Sequence, residues 1–469
     1  MLLGGYMVPH PPLAIAEVGR GDEKVIQATL DAYDEVARDI AKKHPDTVIL
    51  SSPHSVMYAD YFHISPGEKA TGDMSRFRAP EVSFTADYDT ELVDEIVKNA
   101  KLSGISAGTA GERDPMLDHG TIVPLYFICK RYTNFKLVRI GLSGLPLTEH
   151  YRLGMAIAEA VKATGRNAVY VASGDLSHKM KAEGPYGFAP EGPQYDERIM
   201  QDMGSGDFGK ILDYDEGFCD KASECGHRSF VMMAGAFDGY AVKVKKLTHE
   251  ATFGVGYGIC MFEPDGEDPG RHFLDIKRKE TLDKMKNDTG LSQDPYVALA
   301  WRSLKSYINN GITLKVSEAM EGLMDAPEAQ ALMKDRAGAF VSIHKHGQLR
   351  GCIGTFLPIT DCIAAEIIRN AISASTEDPR FSPIRPDEIA DLEVNVDVLS
   401  TPEPIADASQ LDVKRYGVIV TRGARRGLLL PDLEGVDDVE TQIAIAKQKA
   451  GIRQDEDVEL QRFEVVRHK

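Results

Sequence analysis

Residues 167–178 of the sequence read NAVYVASGDLSH and join a short apolar run to a polar turn. The run 167–172 is rich in β-branched and aromatic residues and is followed by Gly174, so it predicts a buried β-strand that ends at a turn. Asp175 and His178 come shortly after the end of that strand. In open α/β sheets ligands bind beyond the carboxyl ends of the strands, so these two side chains are candidates for a functional site.

The same arrangement recurs twice in the first half of the chain. An apolar run at 2–8 precedes His10 in MVPHPP, and the run TVIL at 47–50 precedes His54 in SSPHS. The segments between these runs have helical periodicity or a further strand pattern, at 22–43, 89–100, 136–142 and 150–164. Alternation of strands and helices with short loops predicts an α/β domain with a largely central sheet.

The length and a change in composition predict two domains. At 469 residues the chain is too long for one ordinary core. Near residue 264 the sequence EPDGEDPG leads into the charged stretch DIKRKETLDKMKND. We predict an N-terminal domain over 1–264, a linker or bridging helix over 265–291 and a C-terminal domain over 292–469. The last of these mixes helices, strands and Gly-rich turns, which favours an α+β fold.

The composition is that of a globular protein with an acidic surface. Hydrophobic residues make up 43% of the chain, charged residues 27%, and the formal net charge is -18 at pH 7. Such a charge argues against binding to nucleic acid or to an anionic membrane, both of which require basic residues. The six cysteines form no C-x-x-C pair, and the sequence has no leader pattern and no apolar stretch of about 18 residues. We expect a cytoplasmic protein with free thiols.

Histidines on separate loops after strands suggest a metal site assembled from distant parts of the chain. Two imidazoles and one carboxylate on one face leave positions open on a ferrous ion for substrate and O₂. We predict His10 and His54 as the imidazole ligands and Glu224, in SECGH, as the carboxylate. Cys225 and His227 in the same segment are alternative third ligands. Fe(II) is the expected metal, with zinc or copper as alternatives.

Three more residues are predicted to serve catalysis beside the metal. His178 is the candidate acid–base group, because the pKa of an imidazole lies near working pH. His119, in LDHGT, is predicted to orient substrate or to stabilise an oxyanion. Asp175 is predicted to orient His178, as carboxylates near metal sites commonly do.

The most distinctive stretch of the C-terminal half is LRGCIGTF at 349–356. Gly351 permits close backbone approach, Arg350 could lower the pKa of a nearby thiol, and Cys352 is a candidate nucleophile. Candidate bases for that cysteine lie just upstream, at His344 and His346. The alternative, which composition alone favours, is a small buried cysteine in a strand–turn–strand.

The motifs MVPHPP, SSPHS, LDHGTIVPL, SGDLSH and ECGHRSF resemble those of the class III extradiol dioxygenase superfamily (LigB-like) and of the related Memo family. The resemblance covers most of residues 1–262 and implies a LigB/Memo-like fold, an α/β domain with a central mixed sheet and flanking helices. It also implies Fe(II) ligands at His10, His54 and Glu224 and catalytic roles for His119 and His178. Memo-like proteins place a cysteine near the carboxylate, and this chain has both Glu224 and Cys225, so the resemblance leaves the third ligand open.

The C-terminal motifs LRGCIGTF, STEDPRFSPI, VNVDVLSTPEPI and GLLLPD are similar to the AMMECR-one domain family over nearly all of 292–469. That similarity implies an α+β fold with a cleft near the first motif. The fusion resembles the AmmeMemoRadiSam arrangement, which implies a radical SAM protein as a partner. This chain has no C-x₃-C-x₂-C cluster, so the radical chemistry would belong to that partner. A homo-oligomer is a further expected assembly.

Three functions are compatible with these features. The first is an Fe(II) enzyme of the extradiol-dioxygenase type that acts on a small aromatic or heterocyclic molecule. The second is a metal-dependent hydrolase or lyase that uses metal-bound water and no O₂. The third is a non-catalytic protein that binds a metal or matures an intermediate. Oxygen consumption separates the first from the others, and catalysis without O₂ separates the second from the third.

Overall fold

The computed structural model describes residues 1–286, 292–323, 329–433 and 435–469. These residues form two compact units, Met1–Lys277 and Arg278–Lys469. Within the predicted linker, 265–267 end a strand and Phe273–Lys286 form a helix, while 287–291 lie outside the described residues. No helix among the described residues is long and apolar enough to cross a membrane.

The first unit is built on a six-stranded mixed sheet with the order β7-β2-β8-β1-β10-β9. Its strands are β1 (Leu2–Val8), β2 (Thr47–Ser52), β3 (Phe62–His63), β4 (Lys69–Met74), β5 (Ala79–Asp87), β6 (Ala107–Gly108), β7 (Lys136–Gly141), β8 (Ala168–Ser173), β9 (Tyr240–Glu250) and β10 (Tyr257–Glu267). Strands β7, β2, β8 and β1 are parallel, whereas β10 and β9 are antiparallel. The short pairs β3–β6 and β4–β5 form two small separate sheets.

Helices cover both faces of the six-stranded sheet. They are α1 (Ala16–Gly19), α2 (Gln27–Lys43), α3 (Thr90–Leu102), α4 (His119–Cys129), α5 (Leu147–Ala163), α6 (Glu191–Ser205), α7 (Glu216–Ala222) and α8 (His227–Gly235). A further helix, α9 (Phe273–Lys286), begins in the first unit and ends in the second. Successive residues of a strand point to opposite faces, so Tyr170 of β8 packs into one core and Val169 and Val171 into the other. Burial on both faces explains the continuous apolar run of this strand. The predicted α/β fold with a central mixed sheet is confirmed.

The predicted elements of this unit differ from the structure mainly at their ends. The helix predicted from residue 22 starts with a 3₁₀ turn, Asp22–Ile26, and becomes α-helical at Gln27. The helix predicted from residue 150 already starts at Leu147, directly after Pro146. Periodicity locates an apolar face well, but the first turn depends on local capping, which the apolar pattern does not encode.

The second unit has an antiparallel sheet with helices, which confirms the predicted α+β fold. Its strands are β11 (Ala339–Lys345), β12 (Gln348–Gly354), β13 (Leu392–Leu399), β14 (Glu403–Ile405), β15 (Tyr416–Arg422), β16 (Arg425–Leu429) and β17 (Glu459–His468). The sheet order is β12-β11-β13-β17-β15-β16, with β14 paired to β17. Its helices are α10 (Pro295–Asn310), α11 (Val316–Ala319), α12 (Ala329–Lys334), α13 (Ile363–Thr376) and α14 (Val439–Lys449).

Two glycines bring together the loops that follow β8 and α7 in the first unit. A Cβ atom on Gly174 would lie 2.1 Å from the Cα atom of Gly226, much closer than two carbon atoms can approach. The amide of Gly226 also donates a hydrogen bond to the carbonyl of Asp175, at 3.1 Å. Only residues without a side chain permit this approach, which places the segment around Cys225 beside the end of β8.

We predict that Gly174→Ala lowers the stability of the protein by about 1–3 kcal/mol, because the new methyl group overpacks the contact with Gly226. Urea unfolding followed by circular dichroism measures the change. Gly204→Ala is the matched control, since its Cβ would meet only the flexible Lys246 side chain, at 3.5 Å. Equal midpoints for the two variants would contradict the prediction.

Candidate metal centre

Three histidines meet at the carboxyl edge of the parallel strands. His10 follows β1, His54 follows β2, and His119 is the first residue of α4. One ring nitrogen from each lies within 4.8 Å of the others. Strands β1 and β2 both neighbour β8, so their loops converge above its end. Among the described residues, these are the three side chains that are grouped closely enough to hold one ion.

The hydrogen bonds of His10 determine which of its nitrogens is free. Ser173 Oγ donates its single proton to the carbonyl oxygen of Gly120, at 2.5 Å. The same oxygen lies 2.9 Å from His10 Nδ1, so it must accept a proton from that nitrogen. A neutral imidazole that is protonated at Nδ1 carries its lone pair on Nε2. Ser173 was not among the residues predicted from the sequence, and its place as the last residue of β8, directly before Gly174, was the available signal.

The free nitrogen of His10 faces two further ligand groups. His10 Nε2 is 3.0 Å from His54 Nε2 and 3.6 Å from Cys225 Sγ. Two nitrogens that each lie about 2.1 Å from one ion, at a right angle to each other, are about 3.0 Å apart. The distance between His10 Nε2 and His54 Nε2 therefore fits two neighbouring ligands of one ion. The donor set therefore fits a bound transition metal.

Asp118 fixes His54 and His119 relative to each other. Its carboxylate accepts hydrogen bonds from Ser52 Oγ, at 2.6 Å, and from the backbone amide of Thr121, at 3.0 Å. Ser52 ends β2, and Thr121 lies in the first turn of α4, so Asp118 caps the helix while it holds the strand end. The rings of His54 and His119 come to 4.0 Å between centroids.

The three clustered histidines are held in the neutral form that binds metals. Burial lowers the pKa of His10, and burial together with the neighbouring imidazoles lowers the pKa of His54 to about 3 and that of His119 to about 4. Neutral imidazole is the form in which histidine ligates a metal. These nitrogens therefore do not have to lose a proton at neutral pH before an ion binds.

His178 differs from the cluster in the direction of its pKa shift. Burial alone would lower its pKa, but the Asp175 carboxylate outweighs burial and raises the pKa above its ordinary value. Asp175 Oδ2 lies 3.9 Å from His178 Nε2, and Asp175 Oδ1 accepts the backbone N–H of His10 at 2.7 Å. Asp175 thus links the loop of His10 to the histidine that is suited to proton transfer.

The three predicted alternatives for the third ligand lie in different surroundings. His227 has both ring nitrogens engaged, with Tyr195 Oη at 3.2 Å and the carbonyl oxygen of Ile211 at 2.9 Å. Glu224 accepts the backbone N–H of His227, and burial raises the pKa of its carboxyl to about 7. Cys225 is beside His10. The role of Glu224 as a metal ligand stays a prediction, and the geometry groups His119, not Glu224, with His10 and His54.

Cys352 lies in the second unit, on β12 opposite Ser342 of β11. Ser342 Oγ donates a hydrogen bond to Cys352 Sγ at 3.2 Å, and the backbone N–H of Cys352 donates to Asp378 Oδ2 at 2.8 Å. Burial raises the pKa of the Cys352 thiol above its ordinary value. The candidate base His346 instead faces Asp391, at 3.9 Å. A catalytic role for Cys352 stays a prediction.

Comparison with known protein families agrees with the fold of each unit. Residues 4–260 match the family described as the catalytic LigB subunit of aromatic ring-opening dioxygenase, and residues 297–468 match the AMMECR1 family. The fold and the histidine cluster together define the class of protein. It is a catalytic fold of a metal-dependent type, followed in the same chain by a second domain with an α+β fold. The chain belongs to the LigB catalytic-subunit family and carries an AMMECR1 domain in its second unit, which confirms both resemblances.

Related proteins share one or both parts of the chain. A protein of Clostridium acetobutylicum is 42% identical over 477 residues, covering 100% of this chain and 99% of its own. One from Thermotoga maritima is 54% identical over 181 residues, 38% of this chain and 99% of its own. A crystal structure of an uncharacterized Pyrococcus horikoshii protein is 30% identical over 37% of this chain and 88% of its own, with a TM-score of 0.33.

We predict that Asp175→Asn lowers the pKa of His178, because the carboxylate that opposes the effect of burial is removed. The pKa is measured by NMR of ¹⁵N-labelled histidine over a pH series in chelator-treated protein. Asp31→Asn, on the exposed face of α2, is the control and leaves the titration of His178 unchanged. An unchanged titration in Asp175→Asn would show that the carboxylate does not set this pKa.

We predict slow alkylation of Cys352 by iodoacetamide at pH 7, with a rate that rises as the pH approaches its raised pKa. The thiolate is the reacting form, and burial disfavours it. Peptide mass spectrometry after timed quenching gives the rate at Cys352, and a free cysteine-containing peptide is the reference. Alkylation faster than that of the peptide at pH 7 would refute the prediction and favour an activated nucleophile.

Proposed function

We propose that the first unit is an Fe(II)-dependent enzyme of the ring-opening dioxygenase type that acts on a small aromatic or heterocyclic molecule. The observation that carries the proposal is the convergence of three neutral imidazoles from separate loops, with His10 Nε2 unprotonated. The matched family description supplies the reaction class, the oxidative opening of an aromatic ring.

His10 and His54 are the proposed pair of metal ligands. His119 is in the same group of nitrogens, and Cys225 Sγ lies 3.6 Å from His10 Nε2, so either can complete the set. Burial raises the pKa of the Cys225 thiol, so binding through sulfur requires the ion to displace its proton. Loss of metal in His119→Ala but not in Cys225→Ala, or the reverse, identifies the third ligand.

The other residues of the site bind and move protons. A bound ferrous ion supplies open coordination positions for substrate and O₂. His178 would take a proton from a substrate hydroxyl and return it to the product, since Asp175 stabilises its protonated form. Ser173 holds the ring of His10 in a single tautomer, and the backbone N–H of His10 is bound by Asp175, so the geometry is fixed before substrate arrives.

A second candidate function is a hydrolase or lyase that uses zinc-bound water. Three imidazoles form the ligand set of zinc sites that activate water, and among the described residues no carboxylate is in this group. The two functions share every residue named above and differ in the metal and in the need for O₂. The partnership with a radical SAM protein, expected from the fusion of the two domains, stays a prediction.

We predict that the protein purified without oxygen holds close to one transition-metal ion per chain and that His54→Ala holds none, because one of the paired nitrogens is lost. Ser173→Ala keeps the ligand atoms but frees the tautomer of His10, so we expect an affinity lower by about 10–100-fold. Elemental analysis by mass spectrometry and competition with a coloured chelator measure content and affinity.

Ser205→Ala is the control, since Ser205 lies at the end of α6 and its hydroxyl bonds locally, as a donor to the carbonyl of Asp202 and an acceptor from the backbone N–H of Asp207. Iron that depends on His54, with O₂ uptake on addition of catechol-like compounds, supports the dioxygenase. Zinc that depends on His54, with no O₂ uptake, supports the hydrolase or lyase. Equal metal content in wild type and His54→Ala would overturn both.

A further inference from the structure

A fully buried carboxylate that the proposed function does not use lies behind the segment 176–179, which carries His178. It belongs to Asp196 on helix α6, which is 0% exposed. Asp196 Oδ1 accepts the backbone N–H of Ser177 at 2.8 Å, and Asp196 Oδ2 accepts a hydrogen bond from His249 Nε2, also at 2.8 Å. Removing a carboxylate from water is costly, so these two hydrogen bonds offset a cost that an apolar side chain would not have.

The backbone of the segment 176–179 is held by loops that follow other elements. The amide of Leu176 donates to the carbonyl oxygen of Gly256 at 2.9 Å, and the amide of Gly256 donates to the carbonyl oxygen of Ser177 at 2.8 Å. The amide of His178 donates to the carbonyl oxygen of Ser223 at 3.4 Å. The loop between β9 and β10 and the end of α7 therefore both support the backbone beside His178.

Ser177, directly before His178, has all its polar atoms engaged. Its Oγ donates to the carbonyl oxygen of Ala222 at 2.7 Å and accepts the backbone N–H of Lys179 at 2.9 Å. Its own N–H and carbonyl oxygen are bound as described above. Fully satisfied hydrogen bonds of this kind rigidify a buried segment, so the direction in which the His178 side chain leaves the backbone is fixed.

Two glycines allow the carboxylate of Asp196 and the segment 176–179 to come this close. A Cβ atom on Gly256 would lie 1.9 Å from Asp196 Oδ2. A Cβ atom on Gly192, about one turn before Asp196 in α6, would lie 2.8 Å from Ser177 Oγ. Both distances are shorter than a carbon–oxygen contact permits, so the contact requires residues without a side chain at both positions.

The charge of Asp196 also acts on His178. Burial raises the pKa of the Asp196 carboxyl, whereas hydrogen bonds from His249 and Ser177 and the positive charge of His178 oppose the effect of burial. The interaction of two charges is mutual, so an ionised Asp196 favours the protonated form of His178. Asp196 therefore adds to the effect of Asp175, the nearer carboxylate.

We infer that Asp196 is a positioning residue for His178, which holds the segment 176–179 through the backbone N–H of Ser177 while His249 holds the carboxylate in place. This inference rests on the proposed function in one respect, the acid–base role of His178. His249 lies on the edge strand β9 with 29% of its side chain exposed, so the support for His178 extends to the surface of the first unit.

The test combines two measurements on the chelator-treated full chain. Hydrogen–deuterium exchange, measured by mass spectrometry on a peptide that contains Ser177, reports the hydrogen bond to Asp196. NMR of ¹⁵N-labelled histidine over a pH series reports the pKa of His178. In Asp196→Ala we expect the amide of Ser177 to exchange at least about tenfold faster, because a hydrogen bond to a charged group is lost, and the pKa of His178 to fall.

Further variants separate the hydrogen bond from the charge. In Asp196→Asn the side-chain oxygen can still accept from Ser177, so we expect exchange close to that of wild type but a lowered pKa of His178. His249→Gln keeps a donor for Asp196 Oδ2 and is expected to leave both readouts unchanged. His249→Leu removes that donor and is expected to change both in the direction of Asp196→Ala.

Asp202→Asn is the matched control. Asp202 is a second buried carboxylate of α6, but it accepts its hydrogen bond from Tyr214 Oη, at 2.9 Å. Both Asp196→Ala and Asp202→Asn are expected to lower the melting temperature, whereas only the first changes the titration of His178. An unchanged pKa of His178 in the folded Asp196 variants, or an equal change in Asp202→Asn, would overturn the inference. If Asp196→Ala does not fold, which circular dichroism shows, Asp196→Asn and His249→Leu decide the result.

The metal content of the same proteins separates this inference from the proposed function. Metal that depends on His54, together with a pKa of His178 that does not depend on Asp196, refutes the inference and leaves the metal centre in place. A pKa of His178 that depends on Asp196, in a wild-type protein that binds no metal after reconstitution, supports the inference and overturns the proposed function.

Discussion

The site depends on one hydroxyl group, that of Ser173 at the end of β8. Because its proton is committed to the carbonyl of Gly120, the oxygen can only accept from His10 Nδ1. This constraint leaves His10 Nε2 unprotonated and directs it at His54 and Cys225. The carbonyl of Gly120 belongs to the first turn of α4. Ser173 Oγ therefore links the end of β8, the loop of His10 and the helix that starts at His119.

Burial disfavours the charged form of all the imidazoles in the site, and among the described residues only His178 has a carboxylate, that of Asp175, whose effect on the pKa outweighs burial. The pKa values of His54 and His119 are lowered by burial and by neighbouring imidazoles, whereas the pKa of His178 is raised by Asp175. The first pair is suited to metal binding, and the last to proton transfer. Groups whose pKa values are shifted in opposite directions within one cleft are typical of catalytic sites.

The sequence alone was enough to predict which side chains lie at the ends of strands, but not those whose position depends on how helices and strands pack. His10 and His54 could be predicted because proline-containing turns after apolar runs place them at one edge of a parallel sheet. The grouping of His119 with them could not, because it depends on how α4 packs against β2. Arg139, which is buried in β7 near the histidine cluster, gave no signal, since in KLVRIG it is one polar residue within an apparently ordinary strand.

Arg139 is tolerated in the sheet because Ser65 Oγ and the backbone carbonyls of Met116 and Asp114 accept its hydrogen bonds, but polar groups around it are left unpaired. His63 is fully buried with neither ring nitrogen hydrogen-bonded to any described residue, and Glu112 Oε1 is likewise unpaired. Each such group costs about 1–3 kcal/mol, and they concentrate around one guanidinium. The apolar layers on both faces of the sheet supply the stability that offsets this cost. A core built for stability alone would have apolar groups in these places, so this part of the fold gives up stability where Arg139 lines a cavity with His54 and His119.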